Sequence, residues 1–121
     1  MIRNRAPHRL NRRHFITAAA AIALIGPARA GERREVNLRI RGRKVINAEQ
    51  TLRFTEGDEI RLLWSSDEAV DLHLHGYDLH AKAAPGADAV IAFRATTAGR
   101  FPISAHNFGH QTLIYLEIHP R

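Results

Sequence analysis

Histidines are concentrated in two short segments of this chain. Three fall within DLHLHGYDLH, residues 71–80, and a second pair, His106 and His110, lies near the C-terminal end. The chain contains eight histidines, and none lies between residues 31 and 72. Neutral imidazole is the commonest protein ligand for metals, so two loops that each bring one or two histidines together would form a metal site.

Catalytic interpretations of the same residues are weaker. His106 and His110 have the i, i+4 spacing of a helical zinc site, but Asn107 stands where a metalloprotease has its glutamate. Gly109 also disfavours a helix there. Ser104 is close to His106 in sequence, yet no strained nucleophile turn surrounds it. The chain has no cysteine, which excludes thiolate chemistry. We therefore do not expect an enzyme.

The segments that must position these histidines have the pattern of β-strands. Val36, Leu38 and Ile40 alternate with polar residues, as in a half-buried strand. Short apolar runs follow at residues 45–46, 51–54, 60–64, 70–75, 90–95, 101–104 and 113–118, with turn residues between them. Roughly seven or eight closely spaced strands predict an antiparallel sandwich or barrel.

The alternation also predicts which way the first histidines point. Leu72 and Leu74 fall on one side of their strand, whereas His73 and His75 fall on the other. The leucines are expected in the core, so the histidines are expected to face outward. Gly76 ends the strand and leaves His75 at its end, and the following residues are expected to turn or bulge.

The positive charge of the chain is confined to its first thirty residues. The net charge is +6, yet residues 1–30 contain six arginines and no acidic residue, while residues 31–121 carry equal numbers of basic and acidic side chains. A neutral body gives no reason to expect a nucleic-acid partner.

Residues 1–30 are predicted to be a cleaved export signal. Arg12 and Arg13 precede an apolar run, Phe15–Ile25, and a small-x-small cleavage site ends just before Gly31. The paired arginines favour a twin-arginine signal, and an ordinary secretory signal is the alternative. The run is about half the roughly 20 residues that span a bilayer, so no permanent membrane span is expected. The mature protein is expected in the periplasm or outside the cell.

Much of the body resembles the cupredoxins, the plastocyanin and azurin class of small copper proteins. Three segments carry the resemblance: EGDEIRLLW as an opening strand, HLHGYD where the first copper histidine is supplied, and AGRFPISAHNFGH before the final strand. The His-Gly-Tyr-Asp stretch is most similar to exported bacterial cupredoxin-like domains. The resemblance implies an all-β, antiparallel Greek-key β-sandwich over residues 31–121.

The closing segment departs from the electron-transfer members of that family. Ile103 or Ser104 occupies the cysteine position, and Gln111 stands near the methionine position. Without a thiolate, the resemblance does not imply a type 1 blue site. It does imply two histidine ligands, and spacing adds two more, which gives the expected set His75, His106, His110 and His73. His80 is left open, and His119 is interpreted as a solvated residue near the chain end.

Nitrogen ligands of this kind favour copper as Cu²⁺, with zinc as a weaker candidate. The first functional hypothesis is therefore an exported periplasmic protein that binds copper through histidines and acts as a carrier or accessory module. Such a module would have a metal ion and a periplasmic protein as partners. The alternative is a metal-free cupredoxin-like sandwich that acts as a protein-interaction module.

Overall fold

The computed structural model describes residues 31–121. In this part of the chain nearly all regular structure is β-strand, and the exception is a 3₁₀ turn at His106–Phe108. The strands are β1 (Arg33–Arg41), β2 (Lys44–Val45), β3 (Thr51–Thr55), β4 (Glu59–Ser66), β5 (Val70–Leu74), β6 (Leu79–Ala83), β7 (Ala89–Arg94), β8 (Gly99–Ala105) and β9 (Gln111–His119).

The strands form two sheets. Sheet A has the order β2-β1-β4-β7, and sheet B has the order β3-β9-β8-β5-β6. The predicted β-sandwich is confirmed, but the sheets are mixed rather than purely antiparallel. β1 pairs with β4 in parallel, and so does β3 with β9. Alternation in a sequence identifies a strand and its buried side, but it does not identify the strand's partner, so these pairings could not be predicted.

The core lies between the two sheets and is built largely by alternation along the strands. In β4, Ile60, Leu62 and Trp64 are buried, and the residues between them are exposed or half-buried. Burial of apolar side chains is the dominant favourable contribution to folding in a domain without disulfides. Trp64 is fully buried, and its indole Nε1 has no hydrogen-bond partner among the described residues.

Strand β6 was not predicted from the sequence. The residues from Tyr77 to His80 were expected to turn, whereas the structure completes the turn at Asp78 and begins β6 at Leu79. The apolar positions of β6 include two alanines, Ala81 and Ala83, whose small side chains give a weak periodic signal.

Both ends of the described chain meet at the turn between β3 and β4. The buried Asp58 carboxylate accepts a hydrogen bond from the Glu32 backbone N–H at 3.0 Å and lies 3.7 Å from the Arg121 guanidinium. The Gly31 N–H donates to the Gly57 carbonyl at 3.2 Å. β9 runs from the 3₁₀ turn to this turn, so the chain ends lie at the opposite end of the sandwich from that 3₁₀ turn.

Residues 31–121 contain no helix that is long and apolar enough to cross a membrane. The predicted export signal, including the apolar run Phe15–Ile25, lies outside the described residues.

Candidate metal site

The histidines of β5 lie on the outer face of sheet B. Leu72 and Leu74 are almost completely buried in the core, and the residues between and after them, His73 and His75, point the other way. The predicted direction of these side chains is therefore confirmed.

A third histidine joins them from β6. His73 is directly opposite His80 in the antiparallel β5–β6 pair. Their rings are stacked, with centroids 4.1 Å apart and planes 9° from parallel. The His75 ring centroid lies 4.0 Å from that of His73. We call His73, His75 and His80 the hairpin histidines; the sequence alone left His80 open because its strand was not recognised.

Asp78 completes a compact group with two of these residues. Its backbone is left-handed, with φ of 52°, a conformation that aspartate tolerates better than most residues. One carboxylate oxygen lies 3.3 Å from His73 Nε2 and 3.5 Å from His80 Nε2. Across residues 31–121, this trio is the single group of three or more histidine and acidic side chains whose ligand atoms all lie within 4.8 Å of one another.

The Gly-Tyr pair before Asp78 anchors the hairpin turn. Gly76 has φ of 92°, and a Cβ there would overlap the ring of Phe101. The Tyr77 ring packs between Phe93 and Phe101, at centroid distances of 4.7 and 4.9 Å. Its hydroxyl donates to the Thr97 carbonyl at 2.9 Å and accepts from the Thr97 N–H at 3.1 Å. The turn that carries Asp78 is thus held by packing and by hydrogen bonds.

The second histidine pair lies in the connection between β8 and β9. The rings of His106 and His110 meet edge to face, 4.4 Å apart. Asn107 fastens this connection to the beginning of β5, because its Oδ1 accepts from the Asp71 N–H at 2.8 Å and its Nδ2 donates to the Ala69 carbonyl at 2.9 Å. The connection is therefore held close to the strand that carries the hairpin histidines.

Gln111 fixes the other end of the connection. Its side-chain Nε2 donates to the Arg43 carbonyl at 2.8 Å. The Arg43 guanidinium lies over the Phe108 ring at 4.5 Å and forms an ion pair with Glu68 at 2.8 Å. Gln111, which stands near the family's methionine position, has its amide engaged with backbone here and takes a structural role.

Of the two residues that the resemblance puts at the cysteine position, Ile103 and Ser104, only Ser104 lies beside the histidines. It lies opposite His73 in the β5–β8 pair, and its Oγ is 2.8 Å from His75 Nε2. Ile103 points into the core and is fully buried. The donors around this position are imidazole nitrogens and a hydroxyl, a set that fits Cu²⁺ or zinc but not a thiolate-ligated blue site.

The two histidine groups border one surface. His106 lines a shallow pocket of about 250 Å³ together with His73 and His80. Within the described residues, His75, His106 and His110 do not form a ligand-atom cluster as tight as that around Asp78. The structure thus brings the four expected ligands to neighbouring positions, with His80 and Asp78 beside them.

The electrostatics of His75 reflect this crowding. Partial burial lowers the pKa of His75 below its ordinary value. Positive charge on the neighbouring imidazoles His73, His110 and His80 lowers the pKa of His75 further, and the Asp78 carboxylate opposes that shift. The lowered pKa of His75 favours the neutral form, which is the form that binds a metal.

His119 lies apart from this surface, at the end of β9. Its Nε2 is 2.9 Å from a carboxylate oxygen of Glu117, and the side chain is about half exposed. It provides an internal reference for a single surface histidine beside an acid.

No protein-family model matches the chain, and no curated protein matches it. Solved structures do resemble it. A heme-copper terminal oxidase dimer aligns over 72% of this chain with a TM-score of 0.62 and 14% identity. A copper binding protein in the apo form aligns over 70% of this chain, with a TM-score of 0.58 and 12% identity. The laccase from Botrytis aclada aligns over 74% of this chain, with a TM-score of 0.60 and 18% identity.

The chain spans 65% of the matched oxidase chain, 86% of the copper binding protein and 23% of the laccase. At these identities the likeness concerns the fold. The matched structures are cupredoxin-like, and residues 31–121 form a cupredoxin-like β-sandwich.

Proposed function

We propose that this protein is a periplasmic copper-binding module that carries copper or serves a partner protein as an accessory. The observation that supports it best is the convergence of two separate segments on one surface. The β5–β6 hairpin and the β8–β9 connection contribute five histidines to it: His73, His75, His80, His106 and His110.

His75, His106 and His110, with His73, would hold the copper ion. Among divalent metals of the first transition series, Cu²⁺ binds nitrogen ligands most tightly, and zinc is the weaker candidate. When bound, copper would supply a divalent centre that can change oxidation state. Ser104 orients the His75 ring, and Asn107 holds the β8–β9 connection in place. The copper proteins among the structural neighbours support the same choice of metal.

Export is part of the proposal. The leader order of paired arginines, apolar run and cleavage site supports delivery to the periplasm through the twin-arginine route. The His-Gly-Tyr-Asp stretch, whose four residues have separate roles at the hairpin turn, supports kinship with exported bacterial cupredoxin-like domains. Copper would then be taken up from, or delivered to, a periplasmic protein.

Copper titration of the full-length chain tests the ligand assignment. His75→Ala and His106→Ala should each weaken Cu²⁺ binding by about tenfold or more, since loss of even an outer-shell partner costs 10–100-fold at metal sites. The bound ion should be pale and should show nitrogen coupling in its electron paramagnetic resonance spectrum, because no thiolate is present. His119→Ala is the control and should leave affinity unchanged. Equal effects of all three substitutions would contradict the assignment and favour a metal-free interaction module.

A further inference from the structure

The geometry points to a second metal site, contained entirely within the β5–β6 hairpin. We propose that His73, Asp78 and His80 bind a divalent transition-metal ion, with Zn²⁺ as the representative, independently of the β8–β9 connection. The inference rests on the proposed function only in that both place metal ions on the same surface. It adds a site with a different ligand chemistry, because one ligand is a carboxylate. When both sites are filled, His73 serves this site, and His75, His106 and His110 hold the copper ion.

Strand register fixes the two imidazoles. Side chains directly opposite each other on an antiparallel pair share a face, with Cβ atoms about 5 Å apart. His73 and His80 are such a pair, and their ring centroids are 4.1 Å apart. A hairpin alone therefore sets the distance between these two ligands, and no long-range contact is needed to bring them together.

The turn supplies the third ligand. Asp78 lies two residues before His80, and its left-handed backbone places one carboxylate oxygen 3.3 and 3.5 Å from the two Nε2 atoms. Tetrahedral zinc with bonds near 2.0–2.1 Å has ligand atoms about 3.3–3.5 Å apart. The observed separations between the carboxylate oxygen and the two Nε2 atoms match this spacing. The two imidazole rings are stacked nearly parallel, so they would have to rotate for both nitrogen lone pairs to point at one ion.

The exposure of the three side chains determines the kind of site. Asp78 is 86% exposed and His80 is 66% exposed, whereas His73 is 24% exposed. An ion held by three protein ligands on an open surface keeps a fourth position for water or for a ligand from another molecule. It could enter and leave without any unfolding. The Tyr77 ring packs against Phe93 and Phe101, and this packing holds the turn in the conformation that brings Asp78 close to the two imidazoles.

Calorimetric titration of the full-length protein with Zn²⁺ tests this site. The hairpin variants Asp78→Ala and His80→Ala should lose one equivalent of Zn²⁺ or bind it about tenfold or more weakly. The double variant His106→Ala with His110→Ala should keep that equivalent. His119→Ala, which removes a single exposed histidine beside a carboxylate, is the matched control and should behave as wild type.

The outcomes separate this site from the copper site. Unchanged Zn²⁺ binding in the hairpin variants, or no Zn²⁺ binding in the wild type, would overturn the inference. Loss of the same equivalent in the hairpin variants and in the His106, His110 double variant would also overturn it, because the ligands would then form one joint site. If the hairpin binds its Zn²⁺ equivalent as expected but the copper titration contradicts the copper ligands, only the proposed function is wrong. Circular dichroism of each variant checks that the β-sandwich is intact.

Discussion

At the scale of single residues, His75 is the most informative side chain of the candidate site. It hydrogen-bonds to Ser104, contacts the ring of His73, and has a lowered pKa because it is partly buried among other imidazoles. An unfolded chain relieves both the burial and the crowding. Folding stability must therefore depend on pH through this residue.

We expect the free energy of unfolding of the metal-free protein to fall as pH drops below about 6.5, the ordinary pKa of histidine. In that range the unfolded chain binds a proton at His75 before the folded chain does, which favours unfolding, and the loss is complete once pH passes the lowered folded pKa. Urea unfolding of wild type and His75→Gln between pH 8 and pH 5 measures the effect. The free energy of unfolding of His75→Gln should change less with pH than that of wild type, whereas that of His119→Gln should change as much as that of wild type. If the free energy of unfolding of wild type and of His75→Gln changed with pH in the same way, His75 would not be the source of the pH dependence.

The sequence predicts the residue types of the site better than their grouping. Alternation along β5 correctly placed His73 and His75 on the outer face, since Leu72 and Leu74 must be buried. Asp78 was not selected, because its role depends on a left-handed turn and on the pairing of His73 with His80. Neither feature leaves a periodic signal in a single sequence.

At the scale of elements, the β8–β9 connection is fastened to the start of β5 by the side chain of Asn107. Asn107 makes two hydrogen bonds to the backbone around the start of β5. A second asparagine, Asn47, does the same elsewhere: it accepts from the Arg39 N–H at 2.8 Å and donates to the Asn37 carbonyl at 3.0 Å, both in β1. The two residues form a matched pair for experiment.

Asn107→Ala and Asn47→Ala should each lower the free energy of unfolding by about 1–2 kcal/mol, since each removes two hydrogen bonds. Only Asn107→Ala should also weaken copper binding, because it frees the connection that carries His106 and His110. Chemical denaturation and copper titration of both variants provide the comparison. Equal copper affinity in the two would show that the connection needs no such support.

Strands are easiest to predict from the sequence where large apolar side chains alternate with polar ones. The long alternation of β1 and the apolar β4 were visible because buried leucine, isoleucine and tryptophan alternate with more polar or exposed positions. β6 was missed because alanines occupy its inner positions. The parallel pairs β1–β4 and β3–β9 depend on contacts between distant segments, which no local pattern encodes.

At the scale of the whole molecule, charge divides the chain into two parts. The net charge of +6 comes from residues 1–30, and the sandwich that follows is neutral. The proposed export signal, with its pair of arginines, and a body without strong charge are both consistent with the proposed export.

Substitution of Arg12→Lys together with Arg13→Lys should leave uncleaved precursor inside the cell. Lysine preserves the charge but not the planar guanidinium group that the twin-arginine receptor recognises. Fractionation followed by immunoblotting measures the ratio of precursor to mature protein. A matched change of Arg3 and Arg5 to lysine is the control and should not affect export. Normal export of the Arg12, Arg13 variant would exclude the twin-arginine route and leave an ordinary secretory signal as the explanation.

The meeting of Gly31 and Arg121 at the β3–β4 turn has a practical consequence for topology. A short peptide that joined these two residues would close the sandwich into a ring, and the exposed loop at residues 85–88 offers a place to reopen it as a circular permutant. The junction lies at the far end of β9 from the β8–β9 connection. A reporter or solid support attached at Arg121 would therefore leave the β8–β9 connection, with His106 and His110, facing the solution.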